Sequence, residues 1–423
     1  MKRIISKFSQ LSSKALYYSY YMYLSERERI KSPCFTNVVY EKPFTGGNVM
    51  VLALYEKNNL RNDTVELLKE AKRQNIYVVA VNTLKIKPEN YAHDLIDAYI
   101  ERDNFGRDFG SYQAGMKYCI KNKIFDECRR LLIINDSVFF SVKGLAKFIT
   151  DLYSTDIEVL GATENKEISH HLGSFCISLT GEIARNEKFK AYWENYKLTN
   201  VRPAVIKRGE FALSNLLKRL VSNESQFKAL YDVSAFEKAL LEDDTFFRNY
   251  YQYRREGGDI HWSKKYLFQY FEEDPILRSF YEKFIEEKFI ASQAGKSDKG
   301  LSSKKDDHRV NFVDLINFLS TFDYSELPHG EMLKERLMGI YLEDFTRGSQ
   351  IHNNCIALHH LGLPIIKLDL VYRTVCDMQS ILKLKEQLAD EQKDEFMSIL
   401  TSRLAGNKFL FGMNRKAFMY GIM

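Results

Sequence analysis

The chain has 423 residues, length for about two or three domains, and its 45% hydrophobic and 28% charged content is that of a globular protein rather than a disordered or fibrous one. Its net charge of +5 is uneven: residues 1–32 hold seven Lys or Arg against two Glu, residues 403–423 hold four basic residues and no acid, and the rest sums to −4. A basic excess confined to the two ends argues against a nucleic-acid surface over the body and lets the ends meet an anionic membrane surface.

Residues 4–24 place Ile4, Phe8, Leu11, Ala15, Tyr18 and Met22 at helical spacing. Two readings of this amphipathic, aromatic helix stay open: packing on the body, or lying in a membrane interface. No uncharged apolar run approaches the ~20 residues of a membrane span, and the N-terminus lacks the small-residue cleavage site of a secretory signal. Cytoplasmic residence, at most at the inner face of the cell membrane, is expected. The six cysteines form no CxxC pair and sit in apolar surroundings such as Ser174-Phe175-Cys176-Ile177, so buried free thiols are expected.

From residue 49 the pattern becomes strand–helix–strand. Val49–Tyr55 reads as a strand; a helix follows with Asp63 as N-cap and Glu66 as its capping-box partner; Ile76–Val81 is the next strand, ending at Asn82. Pro88 opens a predicted helix through Tyr91, Leu95 and Ala98, and Tyr99–Glu101 is a short strand. Ser111–Lys121 reads as helix, Leu131–Ile134 as a buried strand, Gly144–Tyr153 as helix and Ile157–Ala162 as strand. Such alternation predicts an α/β fold, a Rossmann-like, mostly parallel sheet with crossover helices. Beyond about 210 the chain reads as mainly helical, with helices over Glu210–Leu220 and Ser279–Phe289. The expected domains are an N-terminal helix and linker (1–45), an α/β domain (46–290), a small, polar and charged flexible linker (291–308) and a helical region with a basic, aromatic tail (309–423).

Two segments carry the chemistry. Asn104-Phe-Gly-Arg-Asp-Phe-Gly-Ser111 is a polar turn in which Gly106 admits tight backbone, Arg107 can grip phosphate oxygens bidentately, and Asp108 can fix Arg107 or accept sugar hydroxyls. Leu131-Leu-Ile-Ile-Asn-Asp-Ser137 is an apolar run ending in an amide, a carboxylate and a hydroxyl, where open α/β sheets bind ligands. There Asp136 either holds Mg²⁺ or Mn²⁺ against a diphosphate or caps a turn, while Asn135 and Ser137 offer neutral oxygens. His171, beside His170, is a candidate ligand to phosphate or acceptor, with Glu164 and Glu167 as nearby acids. Glu210, read at a helix start, is either favoured there by the helix dipole or the general base for an acceptor hydroxyl. Asp243 and Asp244 lie in a solvated acidic run.

These segments, with His171-Leu-Gly-Ser-Phe175 and the late Gly362-Leu-Pro-Ile-Ile-Lys367, resemble the rhamnan synthesis protein F family of polysaccharide glycosyltransferases, over roughly residues 46–375. The resemblance implies a glycosyltransferase A-type fold and transfer of a sugar, often rhamnose, from a nucleotide-diphosphate sugar to a surface polysaccharide or lipid-linked glycan. With the residue readings above, donor contacts are expected near Asn82, Arg107, Asp108, Asn135, Ser137 and His171, with Asp136 and Glu210 in catalysis. The chain departs from the pattern in two places: Asn135-Asp136-Ser137 stands where such folds usually have Asp-x-Asp, and Ile351-His-Asn-Asn-Cys355 stands where Asn-Pro-Thr-His is expected. A non-catalytic nucleotide-sugar-binding subunit and a sugar-phosphate transferase remain as alternatives.

Overall fold

Alternate residues of one strand face two different cores. The computed structural model describes residues 2–31, 35–257, 264–294, 312–321, 330–403 and 405–423. Its centre is an eight-stranded sheet made of β1 (Thr36–Glu41), β2 (Gly47–Leu54), β3 (Tyr77–Asn82), β4 (Ala98–Arg102), β5 (Cys128–Asn135), β7 (Val159–Gly161), β10 (Cys176–Thr180) and β11 (Phe227–Ala229), in the order β1-β4-β3-β2-β5-β10-β7-β11. Four of its seven pairings are parallel; β1–β4, β5–β10 and β10–β7 are antiparallel. The sheet is mostly parallel with crossover helices, and the C-terminal part is mainly helical, as the sequence pattern predicts.

Along β2, Val49, Val51 and Ala53 point to one side, Met50, Leu52 and Leu54 to the other, as the two-residue period requires. The first side is covered by α3 (Arg107–Lys121), α5 (Gly181–Arg185), α6 (Glu187–Asn195) and α8 (Ala212–Leu220) through residues such as Tyr112, Ile183, Trp193 and Leu213. The second is covered by α2 (Asn62–Arg73) and α4 (Leu145–Tyr153), and by helices beyond 233 that contribute Phe236, Leu337 and Phe345. Strand β12 (Ile365–Lys367) pairs antiparallel with β6 (Val138–Phe140), so the late Gly-x-Pro segment is zipped onto the chain just after Asp136. A small hairpin, β8 (Glu164–Asn165) with β9 (His171–Leu172), stands at the same end.

Several local expectations are overridden by tertiary contacts. Asp63 is not the N-cap of α2; it is buried, ion-paired to Arg61 at 2.9 Å, and accepts the backbone N–H of Phe140. A charged partner and an otherwise orphaned strand donor outweigh a cap. Pro88 opens only a 3₁₀ turn (Pro88–Asn90), because Ala98 is needed in β4 and Tyr91 stacks among Tyr40, His93 and Tyr99. In the stretch read as a linker before residue 45, β1 forms an edge strand on β4.

The N-terminal helix α1 (Lys2–Lys31) docks through Tyr17, Tyr21, Met22 and Ser25, a face offset from the expected stripe, and leaves Leu11, Ala15 and Tyr18 exposed. It meets the chain's other end, with Tyr17 edge-on to Tyr420 at 5.5 Å. In that tail Ala417 and Phe418 are buried while Phe409, Phe411, Met413 and Met419 are exposed. No described helix is long and apolar enough to cross a membrane. Cys119, Cys128, Cys176, Cys355 and Cys376 are buried free thiols. The 295–308 part of the expected linker lies outside the described residues.

Candidate active site

Strand order reverses between β2 and β5, where connections leave in opposite directions, and a crevice forms at the carboxyl ends of such strands. A cavity of about 1120 Å³ opens there, lined by Tyr55–Lys57 after β2, Asp136 and Ser137 after β5, the start of α3, the β8–β9 hairpin, Glu210, and residues 349–373 of the C-terminal part.

The Gly-Arg-Asp-Phe-Gly turn is built for this wall. Gly106 has φ +91°, and a Cβ on it would come within 2.8 Å of Leu198. Its N–H donates to Asn200 Oδ1 at 2.7 Å, and Arg107, itself left-handed at φ +53°, donates Nε to the Asn200 carbonyl at 2.9 Å. The left-handed Arg107 costs of order 1–2 kcal/mol, and its Nε bond to Asn200 fixes the side chain at the cavity wall. Phe109 stacks on Tyr196 and Trp193 to anchor the turn. Gly110 lies against Arg102 and the Phe105 carbonyl, leaving no room for a side chain. The helix starts at Arg107, four residues before the expected Ser111.

Asn135 joins the two motifs: its Nδ2 donates to Asp108 Oδ2 at 2.9 Å, and its Oδ1 accepts from the Ser137 hydroxyl at 2.7 Å. Asp136 is buried, and its Oδ2 accepts the Tyr55 N–H at 2.5 Å. Burial pushes its carboxyl up to about 7 against the pull of Arg61. Arg61 donates to the Asp136 and Val138 carbonyls and pairs with Asp63 and Glu56, so it braces this corner from behind.

The C-terminal part supplies what the sequence pattern did not reveal. Lys367 donates to the Ser137 hydroxyl at 3.1 Å, and its ammonium lies 4.6 Å from the Phe175 ring centre. Burial lowers its pKa, while Asp369, Asp108 and Glu210 oppose that shift. Burial would raise the Asp369 carboxyl, but His352, Lys367 and Arg373 hold it well below the usual range; it accepts from His352 at 3.0 Å and Arg373 at 2.6 Å. Burial also raises Asp108, against Lys367 and Arg107. Arg202, first residue of the helix α7 (Arg202–Val205), completes a group of three guanidiniums with Arg107 and Arg373.

Glu210 does line the cavity, but in a π-helical turn, Ile206–Phe211, that joins α7 to α8, not in a helix's first turn. Such π segments often mark functional positions. Its carboxylate accepts from Ser174 at 3.1 Å, and His171 Nε2 stands 3.8 Å away. His171 Nδ1 donates to the Ser169 carbonyl at 2.7 Å, which fixes the ring with Nε2 toward Glu210. His170 instead pairs with Glu164 at 2.7 Å. Asn82 sits behind the wall, its amide bonded to both the N–H and the carbonyl of Glu56 and to Tyr99. It therefore shapes the loop after β2. Asp243 caps the helix Asp244–Asn249, Asp244 pairs with Arg248, and Asn353 and Asn354 bond within the C-terminal part.

As a cation site, Asp136 is poorly provided. Asp108, the adjacent carboxylate in the cavity wall, is held by Asn135, and the Lys367 ammonium already stands at Ser137. Among the described residues no group of three or more His, Cys, Asp or Glu is arranged to hold a metal ion. The donor set does not fit a resident divalent cation.

The chain is 24% identical over 237 residues to the uncharacterized protein y4gN of Sinorhizobium fredii, across 51% of this chain and 61% of that one. It is 37% identical over 79 residues to the virulence protein VirA of Vibrio anguillarum, across 19% of this chain and 24% of that one. The chain thus spans less than two thirds of either relative. A structural superposition on the glycosyltransferase GlyE of Streptococcus pneumoniae TIGR4 covers 48% of this chain and 52% of that one, with 11% identity and a TM-score of 0.25. Residues 76–252, from the start of β3 past the Glu210 turn, match the model of rhamnan synthesis protein F. Over that stretch, which holds the Gly-Arg-Asp-Phe-Gly and Asn-Asp-Ser motifs, the chain is similar to the rhamnan synthesis protein F family.

Proposed function

We propose that this protein is a glycosyltransferase that moves a sugar, rhamnose or a related hexose, from a nucleotide-diphosphate sugar to a surface polysaccharide or lipid-linked glycan. The observation that carries the reading is convergence. The turn at Arg107 and Asp108, the strand end at Asn135–Ser137 and the C-terminal Lys367–Arg373 segment, all three quoted for the family resemblance or adjoining it, meet around one cavity at the sheet's switch point.

In this reading the diphosphate faces the guanidiniums, and Asp108, Asn135 and Ser137 hold the sugar's hydroxyls. The acceptor oxygen bonds to the anomeric carbon while the bond from that carbon to the diphosphate oxygen breaks, its electron pair leaving with the diphosphate. Glu210 takes the acceptor's proton, and His171, fixed beside it, orients that carboxylate. We place the enzyme at the inner face of the cell membrane, with its ends as the contact: the docked ends expose Leu11, Leu16, Phe411 and Met419 together with Arg415 and Lys416.

The test is turnover of a nucleotide-sugar panel by the full chain with glycan and lipid-linked acceptors, read by product mass. A product heavier by one sugar supports the reading. A product heavier by a sugar phosphate, or binding with no turnover across the panel, overturns it in favour of a phosphotransferase or a binding subunit.

A further inference from the structure

The cavity wall contains cationic donors that the protein itself does not satisfy. Arg202 has no side-chain hydrogen bond or ion pair among the described residues. Among the described residues Arg107 hydrogen-bonds only through Nε, to the Asn200 carbonyl, and its side chain lines the cavity. Arg373 keeps Asp369 through Nε and touches the Met423 carbonyl at 3.4 Å. Like charges gathered this closely repel: burial lowers Arg107 and Arg202, and Arg373 lowers both further. A fold tolerates such a group where an anion completes it, and guanidinium forks match phosphate oxygens in geometry as well as charge.

A fourth cation stands at the strand end that carries Asp136. In a site built on a strand-end carboxylate, Mg²⁺ or Mn²⁺ bridges that carboxylate to the diphosphate. Here the Lys367 ammonium is bonded to Ser137, the residue after Asp136, and interacts with Asp108 and Asp369. β12 delivers it there by pairing with β6, register Lys367 opposite Val138. A cation fixed by backbone pairing is thus already in place at the residue after Asp136 and close to Asp108.

We infer that this chain binds the diphosphate of its donor without a divalent cation, through Arg107, Arg202 and Arg373, with Lys367 supplying positive charge at Ser137. The inference rests on the glycosyltransferase reading and adds the means by which the leaving group is held.

The experiment is calorimetric titration of the full chain with inorganic pyrophosphate and with uridine, thymidine and guanosine diphosphates, in EDTA and then in Mn²⁺. At least one nucleoside diphosphate binds in EDTA, and Mn²⁺ changes its affinity by less than about threefold, well under one charge-assisted hydrogen bond. Arg202→Gln weakens that binding by about tenfold or more, the worth of one such bond, with a melting temperature close to the parent's, since among the described residues the Arg202 side chain makes no hydrogen bond or ion pair. Binding that appears only with Mn²⁺ overturns this inference and leaves the glycosyltransferase reading standing. So does an Arg202→Gln protein that binds as tightly as the parent. Failure of every diphosphate to bind under both conditions removes the glycosyltransferase reading and this inference with it.

Discussion

Replacing Lys367 with methionine tests whether the cavity wall is held together by charge. The substitution keeps the apolar stem against Phe175 and removes the ammonium. Lost are a charge-assisted hydrogen bond to Ser137, worth ~1.5–3 kcal/mol, and a partly desolvated cation–π contact worth ~1–2 kcal/mol. Relief of the ammonium's own burial, visible in its lowered pKa, offsets part of this, leaving a net loss of about 2–3 kcal/mol. For a chain this long that corresponds to a fall in Tm of roughly 2–3 °C near neutral pH. The effect has a pH signature. Asp369 keeps His352 and Arg373, but Asp108 loses the first of the cations that hold its pKa down. A carboxyl with a raised folded-state pKa stabilises the fold most below its unfolded value, and that stability is lost as pH rises through the folded value. Lys367→Met raises Asp108 further, so the deficit is largest at pH values above the folded pKa of Asp108 and shrinks as pH falls through it and the carboxyl takes up a proton. Differential scanning calorimetry of both proteins across that range reads the difference directly. A deficit independent of pH, or growing in acid, refutes the electrostatic account.

Glu210→Gln keeps the Ser174 hydrogen bond and removes the base; turnover should fall by about 10²-fold or more with nucleoside diphosphate affinity unchanged in calorimetry, and retained turnover would assign proton transfer elsewhere. Gly106→Ala places a Cβ at a left-handed position against Leu198, so a loss of about 1–2 kcal/mol in chemical denaturation is expected together with weaker diphosphate binding through Arg107. Asp344→Ala removes the buried carboxylate that pairs with the Arg254 guanidinium and should cost about 3–5 kcal/mol by the same measurement. Asp369, held below the ordinary range by His352, Lys367 and Arg373, stabilises the fold above its unfolded pKa and loses that contribution as pH falls through the folded one. Asp369→Asn should therefore lower Tm at neutral pH and lose less than the parent on acidification.

Much of the fold was legible because it is encoded locally. Short apolar runs such as Val49–Leu54 and Leu131–Ile134 can bury both faces only as central strands, and the polar residues that end them mark the sheet's carboxyl edge. Gly106 and Gly110 announced a turn whose constraints, an αL backbone and contact with Arg102, are those found. Local signals failed where a distant group competed. Asp63 had the pattern of a cap but is taken by Arg61 and Phe140. Tyr91 and Ala98 had helical spacing but belong to an aromatic stack and a strand.

The amino-acid sequence by itself determined the order of strands and helices, the family motifs, and the placement of Asp108, Asn135 and Asp136 at strand and helix ends, since each depends on patterns within about ten residues. Only the tertiary structure decided the charge of the site. Arg202, Lys367 and Arg373 lie some 94 to 266 residues from Arg107 and Asp108, and of the three only Lys367 falls in a segment the sequence pattern singled out. They reach the cavity because β12 pairs with β6 and a π turn redirects α7 into α8. Coulombic interaction depends on distance in space and on burial, and neither is written in the spacing of residues along the chain.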